Sequence, residues 1–310
     1  MEQSFIPAAP IRRRAHRNVI LTLPVLAAIA GSAWPSADAR VADQTPAQPP
    51  AAAPDPTPVL AAAREALGGE KRLSAVKTFV ATGRTRQLQG DNLVPIEFEI
   101  SCELPDKCIR RDEIPARESG PTTIGFSGDE LIQIPVPPSA LPPRAGAPPL
   151  PAGTSGGPTS PGRGGPPPAQ MAALRVATTK QDFARLWLGM FGASFTSFSL
   201  VFTHAGAAEA PQGQADVLDA KGPANFAARF FIFRETHLPI MLSWQGPEPG
   251  RGSGTPVENR LYYADYRDVE GLKFPFRLRR AVGADTVEET TFDRFRINAR
   301  IDPRKFEVRK

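Results

Sequence analysis

Pro95-Ile96-Glu97-Phe98-Glu99-Ile100-Ser101-Cys102 alternates apolar and polar side chains without a break from Ile96 onward. Successive side chains of a β-strand point to opposite faces. Ile96, Phe98, Ile100 and Cys102 therefore share one face, and Glu97, Glu99 and Ser101 the other. A strand with one apolar and one wet face belongs to an antiparallel sheet that is covered on one side only.

The same period extends outward from this stretch. Phe79–Thr85 precedes it as a strand, and Cys108–Ile114 follows it after the turn Leu104-Pro105-Asp106-Lys107. Thr122–Ile134 is strand-like. Further on, Phe195–Thr203, Ala215–Asp219, Phe226–Glu235, Pro239–Gln245, Leu261–Val269, Lys273–Val282 and Val287–Asn298 carry β-rich content, with turns such as Val269-Glu270-Gly271 and Val282-Gly283-Ala284-Asp285 between them. Consecutive strands joined by short turns form antiparallel meanders, not βαβ units. About ten such strands in one sheet tend to curl. The expected class is α+β, with one large curved antiparallel sheet whose concave face must be filled or covered.

Two helical stretches interrupt the pattern. Val59–Leu67 is Ala-rich and stops at Gly68-Gly69, and Glu70–Lys77 adds a turn. Met171–Phe191 is longer and carries Phe183, Leu186, Trp187, Met190 and Phe191 at steps of three and four. It reads either as a core helix on the sheet or as a lid over an apolar cavity. Phe183, Trp187 and Phe191 stand at i, i+4 and i+8 on one helix face, and Phe230 and Ile232 share one face of a strand. If the sheet curls toward the helix, these five converge with Phe98 and Ile100 as candidate cavity-lining residues. If they interdigitate at core density, they are simply core.

The ends and the middle differ in character. Arg12, Arg13, Arg14 and Arg17, the apolar run Val19–Ala30 and the triplet Ala37-Asp38-Ala39 have the layout of a secretory signal peptide over residues 1–39. The apolar run is shorter than a membrane span. The expected mature chain is periplasmic, starts at Arg40 and has no permanent membrane span. Residues 40–58 read as an Ala/Pro linker to a domain over 59–310. Within it, Pro135–Pro168 contains 13 Pro and 7 Gly among 34 residues and no acidic or aromatic residue. Such a tract buries too little apolar surface to offset its ordering entropy, so it is expected to be a disordered insert.

Composition and motifs exclude several functions. The chain has 37 Lys plus Arg against 32 Asp plus Glu, a weak bias without the clustering that nucleic acid requires. Two Cys and three His leave little margin for a structural Cys/His zinc site, which takes four ligands. Ser127 lies in Gly125-Phe126-Ser127-Gly128-Asp129, whose second Gly comes too early for a nucleophile elbow. His204 and His237 have no triad-like neighbours. Glu235 would point the same way as His237 on a strand and pair with it. Asp106, Asp112 and Glu113 sit around a hairpin, where carboxylates are usually solvated. No catalytic residue, metal or cofactor is expected. Cys102 and Cys108 stand at the two ends of a hairpin and are candidates for a disulfide if the register brings them together.

Tyr263-Ala264-Asp265-Tyr266-Arg267-Asp268-Val269-Glu270-Gly271-Leu272-Lys273-Phe274-Pro275 resembles the late hairpin of the LolA-like group of outer-membrane lipoprotein-sorting proteins, which shares its fold with LolB and RseB types. Phe292–Phe306, with Ile301-Asp302-Pro303, resembles their last strand and tail. Ala66–Lys71 followed by Val76–Gly83 resembles their first helix and strand. The resemblance implies a half-open β-barrel with helices as a lid, holding lipid or lipoprotein acyl chains, with no cofactor and no catalysis. It also admits another role for the same architecture, an envelope regulatory module with a protein partner. Arg277-Leu278-Arg279-Arg280 or the Pro-rich tract would then be the contact.

Overall fold

The computed structural model describes residues 54–90, 92–115, 120–136, 168–210, 213–246 and 256–307. The expected signal peptide, most of the linker and nearly all of the Pro/Gly-rich insert lie outside the described residues.

The alternating stretch Pro95–Cys102 is the middle of β2 (Asn92–Glu103). Ile96, Phe98, Ile100 and Cys102 are buried, Glu97 is exposed and Glu99 half-buried. Ser101 is buried as well, against expectation. Its hydroxyl donates to Glu99, which keeps the buried oxygen satisfied. β2 pairs with β1 (Thr78–Gln89) on one side and β3 (Lys107–Glu113) on the other. Thr122–Ile134 is not one strand but a hairpin of β4 (Thr122–Ser127) and β5 (Glu130–Ile134), because Gly128 takes a positive φ and turns the chain.

The second half contributes β6 (Val201–Ala210), β7 (Gly213–Gly222), β8 (Phe226–Phe233), β9 (Pro239–Gly246), β10 (Val257–Val269), β11 (Leu272–Val282) and β12 (Asp285–Ile297). Phe195–Thr203 is corrected by the structure. Residues 192–200 make only an isolated bridge, Phe195 to Phe198, and the strand begins at Val201. Their aromatic side chains fill space instead of joining a ladder: Phe195 packs edge-on against Trp187 and Phe191, and Phe198 against Phe226.

All twelve strands form one antiparallel sheet, in the order β5-β4-β3-β2-β1-β12-β11-β10-β9-β8-β7-β6. Two meanders are thus zipped together by their first and last strands, β1 and β12, and β5 and β6 remain as open edges. The helix α3 (Pro168–Phe191) stands between β5 and β6 in the chain, so it connects one edge of the sheet to the other. It is three residues longer at its start than the expected Met171–Phe191. α1 (Thr57–Ala66) and α2 (Glu70–Ser74) precede the sheet.

The sheet curls around α3. Trp187 packs edge-on against Phe126 of β4, with ring centroids 6.2 Å apart. Two residues earlier, the Arg185 guanidinium lies 4.4 Å from the Trp244 ring of β9. β4 and β9 are seven places apart in the sheet. In a flat sheet they would be separated by roughly 34 Å, three times the width of a helix. Only a strongly curved sheet brings both to the same turn of α3.

Two contacts fix the helix within that curve. The Tyr263 and Tyr266 hydroxyls of β10 donate to the backbone carbonyls of Arg185 and Gly189, at 2.5 and 2.8 Å. At the end of α3, Gly192 takes a positive φ and its N–H returns to the Leu188 carbonyl, while Arg64 of α1 donates to the carbonyl of Phe191. Orphan carbonyls of the last turn are thereby satisfied.

Cys102 and Cys108 face each other across β2 and β3, with Cα atoms 4.2 Å apart, and form a disulfide. Closing so short a loop stabilises by about 2 kcal/mol in the chain-entropy account. Replacing both by Ala is expected to lower the unfolding free energy from urea titration by that amount, with a lower midpoint, and to abolish the response to reductant. An unchanged midpoint would mean that the unfolded hairpin is already closed.

Candidate functional site

A cavity of about 320 Å3 lies between α3 and the concave face of the sheet. It occupies the part of the curve that the helix does not fill. Strand parity decides which side chains reach it. Ile96, Phe98 and Ile100 line it from β2, Leu278 and Arg280 from β11, and Glu288, Thr290 and Phe292 from β12, each at a spacing of two. Arg110 and Asp112 contribute from β3, and Ile124, Trp244 and Leu261 from β4, β9 and β10. The helix presents Thr179, Asp182, Phe183 and Leu186, at steps of three and four, and Arg185 beside them.

Of the seven side chains expected at a cavity, the structure brings Phe98, Ile100 and Phe183 to this wall. Trp187, Phe191, Phe230 and Ile232 are at most 2% exposed and belong to the packed core. Trp187 and Phe191 point to an adjoining face of α3, where they meet Phe126, Phe195, Phe79 and Phe274 in edge-to-face and tilted contacts. The helix thus has two apolar faces. Its Trp187 face is core, and its 179–183–186 face looks onto the cavity.

The wall is not purely apolar. At its floor the Thr85 and Thr290 hydroxyls bond to each other at 2.8 Å. Arg110 stacks over the Phe98 ring, donates to Asp112 at 2.7 Å and reaches the Thr85 hydroxyl. Asp112 is therefore an ion-paired, three-quarters-buried wall residue, not the solvated hairpin carboxylate expected from its position. On the helix side, Arg185 donates to Asp182 at 2.7 Å and to the Gln181 side chain. Asp182 shows most of its surface to the cavity opening, yet crowding by protein raises its pKa, against the pull of Arg185, Arg280 and Arg110. Burial likewise lowers the pKa of Arg185, with Asp182 opposing the shift.

Glu235 and His237 do not lie on a strand. Glu235 sits in the turn after β8 and His237 follows it with a positive φ, so the strand geometry that would have aligned them is absent. His204 instead faces Asp216 of the adjacent strand, 3.6 Å away, and Asp216 is also held by Arg234. Among the described residues, no group of three or more His, Cys, Asp or Glu side chains is placed to hold a metal ion. None of the described helices is long and apolar enough to cross a membrane.

Arg280 was not legible as a wall residue because Arg277-Leu278-Arg279-Arg280 reads as an exposed basic segment. Period two splits it. Arg277 and Arg279 are exposed on the convex face, and Leu278 and Arg280 point into the cavity.

No family model and no curated protein matches the sequence. Among solved structures, the chain is similar to a LolA superfamily protein from Nitrosomonas europaea, with 13% identity, 82% of this chain and 98% of that chain covered, and a TM-score of 0.49. It is also similar to a putative outer membrane lipoprotein-sorting protein domain from Vibrio parahaemolyticus, with 9% identity, 81% and 97% coverage and a TM-score of 0.45. A third is a DUF1329 family protein from Desulfovibrio piger, with 8% identity, 82% and 98% coverage and a TM-score of 0.43. The open twelve-stranded sheet with a helix across its concave face is the architecture that the sequence resemblance implied.

Proposed function

We propose that the protein is a non-catalytic periplasmic carrier or sensor that takes an acyl chain of a lipid or lipoprotein into the cavity between α3 and the sheet. The observation that carries this reading is the convergence of Phe98, Ile100, Phe183, Leu186, Leu278 and Phe292 on one open space. Burying an acyl chain there gains about 0.8 kcal/mol per methylene, so affinity needs no specific motif. The cavity is at the small end of the range of roughly 300–1,000 Å3 for small-molecule sites, which suits one chain better than several.

Ile124 offers a clean test. It lines the cavity yet is 43% exposed, so it contributes little to the core. Ile124→Glu is expected to weaken binding of a fluorescent fatty acid about tenfold, because a carboxylate beside a methylene chain must lose hydration. The melting temperature should move by less than about 2 °C, as for surface substitutions generally. No fatty-acid binding by the unmodified protein, and no lipid retained in native mass spectrometry after purification from a Gram-negative envelope, would overturn the reading.

A second reading, an envelope regulatory module with a protein partner, draws on the convex face. There Phe231, Met241 and Tyr262 line a hollow of about 570 Å3 beside Arg260, Arg277 and Arg279. The Arg279 guanidinium covers the Tyr262 ring at 4.3 Å. A stable protein partner recovered with an empty cavity would favour this alternative.

A further inference from the structure

Arg185 and Arg280 line the cavity from the helix and from the sheet, and both stand near one ring. Their guanidinium carbons lie 4.4 and 6.0 Å from the centre of the Trp244 indole. Each leaves its Nε–H shielded from solvent with no acceptor. Arg185 is otherwise engaged, with Asp182 and Gln181. Arg280 makes a single hydrogen bond, from Nη2 to the Asn259 side chain at 3.2 Å, and among the described residues no carboxylate lies within ion-pair distance of it. Glu288 stands opposite Arg280 in the register of β11 and β12 and shares the same wall, but its carboxylate accepts from Thr290. A guanidinium carries five N–H donors in a planar fork that matches an oxyanion. A buried donor left without an acceptor is costly, and a charged one more so.

We propose that the cavity selects a single-chain amphiphile with an anionic head, whose carboxylate or phosphate oxygens accept from the guanidinium groups of Arg185 and Arg280 beside Trp244. This rests on the reading that an acyl chain occupies the apolar wall. The chain lies against Phe98, Phe183 and Leu186, and the head sits where both guanidinium groups line the cavity. The Trp244 indole that both approach limits how far either cation can withdraw, because cation–π contact favours its present place.

The test compares three twelve-carbon probes on the full chain by calorimetry: dodecanoate, dodecyl phosphate and dodecanol, with inorganic phosphate as a competitor. The unmodified protein is expected to bind the two anions about tenfold or more tighter than the alcohol, the range that charge-assisted hydrogen bonds supply. Arg280→Gln should reduce dodecanoate affinity about tenfold, leave dodecanol unchanged and so erase the preference. Arg280→Lys should restore part of it. Inorganic phosphate at millimolar concentration should displace neither anion, which identifies the head of a lipid and not a free ion as the ligand. Equal binding of acid and alcohol by the unmodified protein would overturn the anionic head and leave the acyl-chain reading intact, and this comparison needs no variant to fold. Binding of inorganic phosphate alone, lost in Arg280→Gln, would overturn the proposal in favour of a free-anion site. Binding of none of the probes would overturn the acyl-chain reading as well.

Discussion

Trp187→Ala is expected to lower stability by about 3 kcal/mol while leaving fatty-acid affinity within about twofold of the unmodified protein. The side chain is 1% exposed and touches three rings, of Phe126, Phe183 and Phe195, with centroids 6.2, 6.1 and 4.8 Å away. Truncating a core Trp costs roughly 3–5 kcal/mol, from lost transfer energy and the cavity left behind. One feature pulls the other way. The Trp187 indole N–H is buried without an acceptor, and removing it recovers about 1 kcal/mol of that penalty. The packing loss is larger, so the lower end of the range is expected. For a domain of this size the melting temperature should fall by roughly 10 °C. Urea unfolding and a fluorescent fatty-acid titration on the same variant decide the point. A small stability loss with weakened binding would place Trp187 on the cavity wall and not in the core.

The place of Trp187 also illustrates how far the sequence could be read. The alternation in Pro95–Cys102 and the short turns of the second half specify an antiparallel sheet, and the sheet is there. The spacing of Phe183, Trp187 and Phe191 specifies a helix face, and that face exists. What spacing cannot specify is which of two apolar faces meets packed rings and which meets space. That depends on the curvature of a sheet whose two halves are joined by β1 and β12, the first and last strands of the chain. The edge strand β6 was only partly legible for a different reason. Its Thr203-His204-Ala205-Gly206-Ala207-Ala208-Glu209 run is poor in β-branched and aromatic residues, while the preceding Phe195–Leu200 is rich in them. The aromatic content marked packing, not strand. Arg280 was hidden by its neighbours in sequence, although its parity with Leu278 was the signal that it faces inward.

The seating of α3 on β10 gives a prediction in which two physical effects oppose each other. Gly189 lies inside the helix, where Ala is normally favoured by about 1 kcal/mol. A Cβ at Gly189 would stand 2.2 Å from Cε1 and 2.3 Å from Cδ1 of the Tyr263 ring, far inside van der Waals contact. The ring cannot simply step aside. Its hydroxyl is bonded to the Arg185 carbonyl one turn earlier, and the neighbouring Tyr266 hydroxyl is bonded to Gly189 itself. Tyr263 is buried and Tyr266 half-buried, and desolvation raises both phenol pKa values, so they remain neutral donors. Gly189→Ala must push the helix off β10, at an overpacking cost of about 1–3 kcal/mol, and stretch two hydrogen bonds worth about 1 kcal/mol each. Against this stands only the propensity gain, so a net loss of about 2–4 kcal/mol is expected. Because α3 forms one wall of the cavity, its displacement should also weaken fatty-acid binding, in contrast to Trp187→Ala. Urea unfolding, with near-ultraviolet circular dichroism to follow the tyrosines, reads the first effect, and the titration reads the second. A variant as stable as the unmodified protein would show that helix and sheet are not in the close contact described, and that α3 is free to move as a lid.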